Sequence, residues 1–166
     1  EGADIFFYLN TTDGGSVTSK SWNGIKTLPF AADYGLVVED SNYARLVGYS
    51  TGHWSDISTP EMHAGWSDNK VTEISVPLSD LGNPAHMDLI AWGQWQNAGN
   101  VWSAFPMDNS FSQFSHFYSA SDLANQTPAD IVIEERDAPE KVDDALNLAI
   151  IFHQHQPYYK NKLTDT

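Results

Sequence analysis

Short runs of β-forming residues, each closed within about eight to twelve positions by Gly, Asn, Asp or Ser, fill the first 120 residues of this chain. Such spacing leaves no room for the ten or more residues that an amphipathic helix needs. Ala3-Asp-Ile-Phe-Phe-Tyr-Leu9 reads as the first strand, and Asn10–Ser16 as a turn in which glycines supply positive φ. After a polar loop through Trp22-Asn-Gly24, Leu28–Tyr34 leads into a strand over Tyr34–Glu39. Asp40-Ser-Asn42 turns that strand back as Tyr43–Tyr49. A short segment carrying Trp54 and Ile57 follows, then a strand over Met62–Trp66. Val71–Pro77 alternates, with Thr72, Ile74 and Val76 on one face, as a half-buried antiparallel strand should. Leu78–Gly82 is a compact turn. His86–Trp92 and Val101–Phe105 flank a loop over Gly93–Asn100, and Phe111–Tyr118 adds a last aromatic strand. The expected fold class is all-β, an antiparallel β-sandwich.

Beyond Ser119 the composition changes, which divides the chain into three. Residues 1–122 form the sandwich. Residues 123–145 are a charged linker, solvated rather than functional, although Ile131-Val-Ile133 is a candidate closing strand. Residues 146–166 open something different. Leu148-Ala-Ile-Ile-Phe152 is continuously apolar, as in a strand buried on both faces of a parallel sheet. In the His153-Gln-His-Gln-Pro157 that follows, strand alternation puts His153 and His155 on one face, and Pro157 ends the strand. Histidines at the carboxyl end of a buried strand stand where α/β barrels carry out their chemistry.

The charge balance excludes some partners. With 22 acids against 8 bases the net charge is −14, the wrong sign for nucleic acid or an anionic membrane. Cysteine is absent, which rules out disulfides, thiolate zinc sites and a cysteine nucleophile. No stretch reaches the roughly twenty apolar residues of a membrane span. The chain starts at Glu1 almost directly in a strand, so processing or excision from a longer polypeptide is expected.

From the residues alone, the paired histidines admit three readings: a structural pair, two neutral imidazole ligands of a metal, or hydrogen-bonding groups for a polyhydroxylated substrate. The run Leu148-Ala-Ile-Ile-Phe-His-Gln-His-Gln-Pro-Tyr-Tyr159 resembles the opening strand of glycoside hydrolase family 57, particularly its amylopullulanases. That family's first signature, His-x-His-Gln-Pro near the start of an incomplete (β/α) barrel, matches His153, His155, Gln156 and Pro157. The resemblance covers about the last twenty residues. It implies that His153, His155 and Gln156 line a sugar subsite. It also implies a retaining α-glucan hydrolase with two carboxylates roughly 5 Å apart. The matching carboxylates would lie beyond Thr166, so this segment is expected to be inactive alone.

The first 120 residues carry a second resemblance. Leu28-Pro-Phe-Ala-Ala-Asp-Tyr-Gly-Leu-Val-Val38, Glu73-Ile-Ser-Val-Pro-Leu-Ser-Asp-Leu-Gly82 and Val101-Trp-Ser-Ala-Phe-Pro106 look like a DOMON-type module. Such modules are similar to the glucodextranase-like and family 9 carbohydrate-binding types attached to archaeal amylopullulanases. The resemblance implies a secreted or cell-surface protein of a thermophile that lacks the module's first strands, with starch or pullulan and the rest of its own catalytic domain as partners. Sugar binding needs aromatic faces for the apolar side of a pyranose and amides or carboxylates for its hydroxyls. Trp95, Trp54 and Trp22 stand in polar, loop-like surroundings and are the candidate contacts, whereas Trp66, Trp92 and Trp102 read as core. Asn10, Asp13 and Asp33 are candidate oxygen ligands for calcium, with turn capping or a buried anchor as the competing readings. Two other readings of the whole chain remain open at this point. One is a structural interdomain or cell-surface sandwich without a ligand. The other is a metal-dependent barrel hydrolase with His153 and His155 as ligands.

Overall fold

β1 (Ala3–Asn10) lies at the centre of the main sheet, hydrogen-bonded on one side to β4 (Tyr34–Asp40) and on the other to β9 (His86–Trp95). The computed structural model describes residues 3–22, 24–40, 43–64, 72–96, 99–121, 123 and 145–150. The remaining strands are β2 (Ser16–Thr18), β3 (Thr27–Ala32), β5 (Tyr43–Ser50), β6 (His53–Ser58), β7 (Glu61–Ala64), β8 (Thr72–Pro77), β10 (Val101–Phe105), β11 (Tyr118–Ser121) and β12 (Ala145–Ile150). The main sheet is seven-stranded in the order β10-β9-β1-β4-β5-β6, with β11 also paired to β9. β12-β8-β7 form a second sheet and β2-β3 a third. Every strand pairing is antiparallel. Almost no helix is present among the described residues; the named piece is a 3-10 turn over Leu78–Leu81 closed by left-handed Gly82. The protein is all-β.

The continuous apolar run Ile5-Phe-Phe-Tyr-Leu9 explains why β1 is central. Successive side chains point to opposite faces, so a run without alternation must be covered on both. On one face Phe7 and Leu9 pack with Leu36, Val38, Leu46, Met87 and Leu89, under Ile74 and Val76 of β8 and Leu81 of the turn. On the other, Phe6 and Tyr8 pack with Val37, Ile90 and Trp92, under Leu28 and Ala32 of β3 and Phe114. The alternating pattern of β8 agrees with this, since Ile74 and Val76 are the residues it buries in the core.

Two segments depart from the sequence reading. β9 runs on to Trp95, so Trp95 ends a strand and does not stand inside a loop. The expected strand over Phe111–Tyr118 is a loop up to Phe117, and the ladder begins only at Tyr118. Asp108 is the cause. Its Oδ1 accepts from the Ser110 amide at 2.9 Å, and its Oδ2 accepts from the Ser115 amide at 2.7 Å and the Ser115 hydroxyl at 3.0 Å. A buried carboxylate that captures backbone amides competes directly with a strand ladder for them. The loop is stitched instead to the start of β3, where Thr27 donates to Ser112 O and accepts from the Phe114 amide. The backbone of Ala145–Ile150 pairs antiparallel with β8, Leu148 opposite Ile74, and the rest of the expected barrel strand, from residue 151 on, lies outside the described residues. Trp66, Ile131–Ile133 and most of the linker lie outside the described residues.

The Ser115 and Ser110 amides hold the Asp108 carboxyl far below the usual carboxylate range, against the opposing effect of burial; His116 Nδ1, 3.2 Å away, adds to the depression. A depressed folded-state pKa contributes stability that is complete above the unfolded value near 4 and is lost as pH falls below it. Asp108→Asn should therefore cost about 2–3 kcal/mol at pH 7, with the deficit shrinking below about pH 4 as the wild type loses the same interaction. Urea unfolding of both proteins at pH 7 and pH 3 measures this. An equal gap at the two pH values would remove Asp108 as the anchor.

Candidate functional site

The loop from Ser19 to Lys26 projects Trp22 from the Phe6–Tyr8 face of the main sheet. Its ends are clamped to each other, the Ser19 amide donating to Lys26 O and the Lys26 amide donating to Ser19 Oγ, both at 2.9 Å. The Lys20 amide donates to the Tyr8 hydroxyl at 2.8 Å, tying the loop to the central strand. Burial pushes the Tyr8 phenol well above its ordinary value, so this oxygen stays a neutral acceptor. Lys26 is itself buried, its Nζ donating to Gly99 O at 2.8 Å, and burial lowers its pKa. From β9, the Gln94 amide donates to Trp22 O at 3.3 Å.

Held in this way, the Trp22 ring packs 5.9 Å from Phe6, and Lys20 Nζ lies 4.6 Å from its centroid. Lys20 also pairs with Asp56 of β6 at 3.1 Å. Trp22 is one wall of a recess of about 80 Å³ lined by Asp4, Val37, Glu39, Tyr43 and Gln96. Asp4 is the second residue of β1, Val37 and Glu39 are same-face positions near the end of β4, and Tyr43 opens β5, so the recess sits where three strand ends meet. Gln96, just past β9, donates its amide to the Glu39 carboxylate. The Arg45 guanidinium covers Tyr43 at 4.6 Å and donates to Ala44 O and Thr59 Oγ1.

Chemically, the recess offers two carboxylates and an amide beside two aromatic rings. It therefore has acceptors and a donor for hydroxyl groups and apolar faces for carbon-bound hydrogens. It is far smaller than the roughly 300–1,000 Å³ pockets that enclose a small molecule, so it suits one ring or the end of a chain laid against the surface. Among the described residues, no group of three or more His, Asp and Glu side chains is arranged to hold a metal ion.

The other candidates fall elsewhere. Trp54 is half-buried on β6, packed edge-on to Tyr8 at 5.4 Å and Tyr49 at 5.2 Å, its Nε1 donating to Thr18 O. It shares the face of Trp22. Trp95 is on the opposite face, because β9 alternates and Trp92 and Gln94 already point to the Trp22 side. Asp33 Oδ2 accepts the amides of Thr11 and Thr12 at 2.8 and 2.9 Å, which makes it an anchor of the turn after β1. Asn10 donates to Asp88 Oδ2 at 3.1 Å, and Asp13 is exposed. Burial acts to raise the pKa of Asp88. The Ser119 hydroxyl, the Asn10 amide and His86 outweigh that and hold it below its ordinary value. His153, His155 and Gln156 lie outside the described residues.

Asp4, Glu39, Tyr43 and Gln96 were not singled out by sequence reasoning. The one available signal was Asp4, a carboxylate two residues before Phe6 at the mouth of an otherwise apolar run, and it is 4% exposed. No helix among the described residues is long and apolar enough to cross a membrane. Set against known protein families, curated proteins and solved structures, the chain matches none of them.

Proposed function

We propose that residues 1–122 are a non-catalytic, DOMON-like carbohydrate-binding sandwich that holds an α-glucan in the recess at Trp22. The observation that carries the reading is the convergence of the Trp22 and Tyr43 rings with the Asp4 and Glu39 carboxylates and the Gln96 amide. Pyranose recognition uses aromatic faces for ring C–H groups and polar side chains for hydroxyls, and this combination supplies both. The resemblance of residues 148–159 to family 57 adds the context: an accessory module ahead of the first barrel strand of a secreted amylopullulanase-type enzyme. In such an enzyme the catalytic carboxylates would hydrolyse α-1,4 and α-1,6 bonds in starch and pullulan while the module keeps the polymer nearby. Tethering raises the local concentration of substrate without altering the chemistry.

The test is binding of maltotriose, a ligand short enough to report on the recess alone. Trp22→Ala should weaken it about tenfold, the equivalent of roughly 1.4 kcal/mol of lost ring contact. Titration calorimetry reads this directly. Unchanged affinity in Trp22→Ala, or no binding by the wild type, would leave the module a structural brace.

A further inference from the structure

Two strands lie end to end along the outer edge of β9: β10 pairs with Ala91–Gln94, and β11 with His86–Leu89. Side chains opposite Gly93, Ala91 and Leu89 therefore share one face, since these are alternate positions of β9. Phe105 stands opposite Ala91, and Tyr118 opposite Leu89, with ring centroids 6.1 Å apart. Trp102 occupies the irregularity between Val101 and Ser103 and packs against Gly93, where an added Cβ would stand 2.4 Å from its indole. Trp95 ends β9 on the same face, 6.5 Å from Trp102. The four rings form a row, stepping along β9 by roughly 7 Å for every two residues.

The row is open to solvent: Trp95 and Phe105 are 42% exposed and Tyr118 is 51% exposed. Aromatic rings repeated at a regular step along a sheet edge match a linear ligand whose own apolar faces repeat. A net charge of −14 disfavours polyanions, and a neutral polysaccharide presents an apolar C–H face at each ring for such aromatic groups. We propose that Trp95, Trp102, Phe105 and Tyr118 are a second glucan-binding surface, a platform for an extended internal stretch of the chain. It lies on the opposite face from the Trp22 recess. This rests on the α-glucan reading above and deepens it: the recess takes a short stretch or a chain end, and the edge row takes the polymer's length.

The experiment compares the whole chain with the Trp95→Ala/Tyr118→Ala double variant, using pullulan and soluble starch in affinity gels and maltotriose in calorimetry. Both rings are about half exposed, so the fold should persist, which a thermal melt checks; Tyr118→Ala alone serves if the double variant melts early. The expected result is a tenfold or greater loss of polymer affinity with maltotriose affinity within twofold of wild type. Undiminished polymer retardation overturns the platform while leaving the recess reading intact. Equal loss of maltotriose binding also overturns it, because the rings would then serve the recess or the fold. A wild type that binds no glucan sinks both readings. A wild-type dimer that the variant dissociates would assign the row to contacts between copies and overturn its glucan role.

Discussion

Replacing Trp92 with alanine should remove about 3–5 kcal/mol of stability. Trp92 is 1% exposed. Its ring stacks on Tyr8 at 5.2 Å and 4°, lies 5.4 Å from Phe6, and meets Phe114 at 5.0 Å. Its Nε1 donates to the buried Gln94 Oε1 at 3.1 Å. Truncation leaves a void bounded by rings from two separate segments, β1 and the loop at Phe114, which cannot close together over it. A domain stabilised by about 5–15 kcal/mol would lose a large part of its margin. The melting temperature should fall on the order of 10 °C. Trp92→Phe keeps one ring in the stack and should cost about half as much. Denaturant titration of the three proteins decides the matter: a Trp92→Ala cost under about 1 kcal/mol would show that the aromatic stack does not carry the core's stability. Loss of Trp92 should also loosen the Trp22 recess, because Phe6 lies between the two rings.

Gly15→Ala should be nearly as damaging, for a backbone reason. Gly15 has φ +83°, and a Cβ placed there would stand 2.5 Å from both the carbonyl carbon and the oxygen of Ala32. Positive φ costs an alanine about 1–2 kcal/mol. The contact with Ala32 is with strand backbone, so relief requires moving β3, and overpacking of this kind adds about 1–3 kcal/mol. β3 carries Leu28 and Ala32 into the core, so its displacement also disturbs packing beneath the Trp22 loop. Gly52 supplies the control. Its φ is +86° and nothing lies within 4 Å of its added Cβ, so Gly52→Ala carries the conformational cost without the clash. Gly15→Ala should be the worse of the pair by at least about 1 kcal/mol in urea unfolding. Equal costs would show that β3 yields freely.

These two positions mark what could be read in advance. The strand character of β1, β4, β5, β8 and β9 was plain, because it depends on local composition and on turn residues adjacent in sequence. Trp92 also read as core, from its place in an apolar strand. The loop at Phe111–Phe117 did not read correctly. Its aromatic residues have strand propensity, but Asp108 and Thr27, both outside the segment, take its backbone hydrogen-bonding groups. Local propensity cannot register a competitor supplied by another part of the chain.

The candidate site divides in the same way. Trp22 was visible as an aromatic in a polar loop, while Asp4, Glu39, Tyr43 and Gln96 reach it only through the register that aligns the ends of β1, β4 and β5. The edge row depends on β10 and β11 sharing one flank of β9, which pairs Phe105 with Ala91 and Tyr118 with Leu89 across a turn and a long loop. By itself, then, the sequence determined the all-β class, the position of most strands and the acidic character of the chain. Those properties follow from side chains and their immediate neighbours. Tertiary structure alone decided which strand ends meet, which face each tryptophan occupies and which carboxylates stand beside it. Strand pairing is a long-range choice, and a shift of one residue in register would move every one of these side chains to the opposite face.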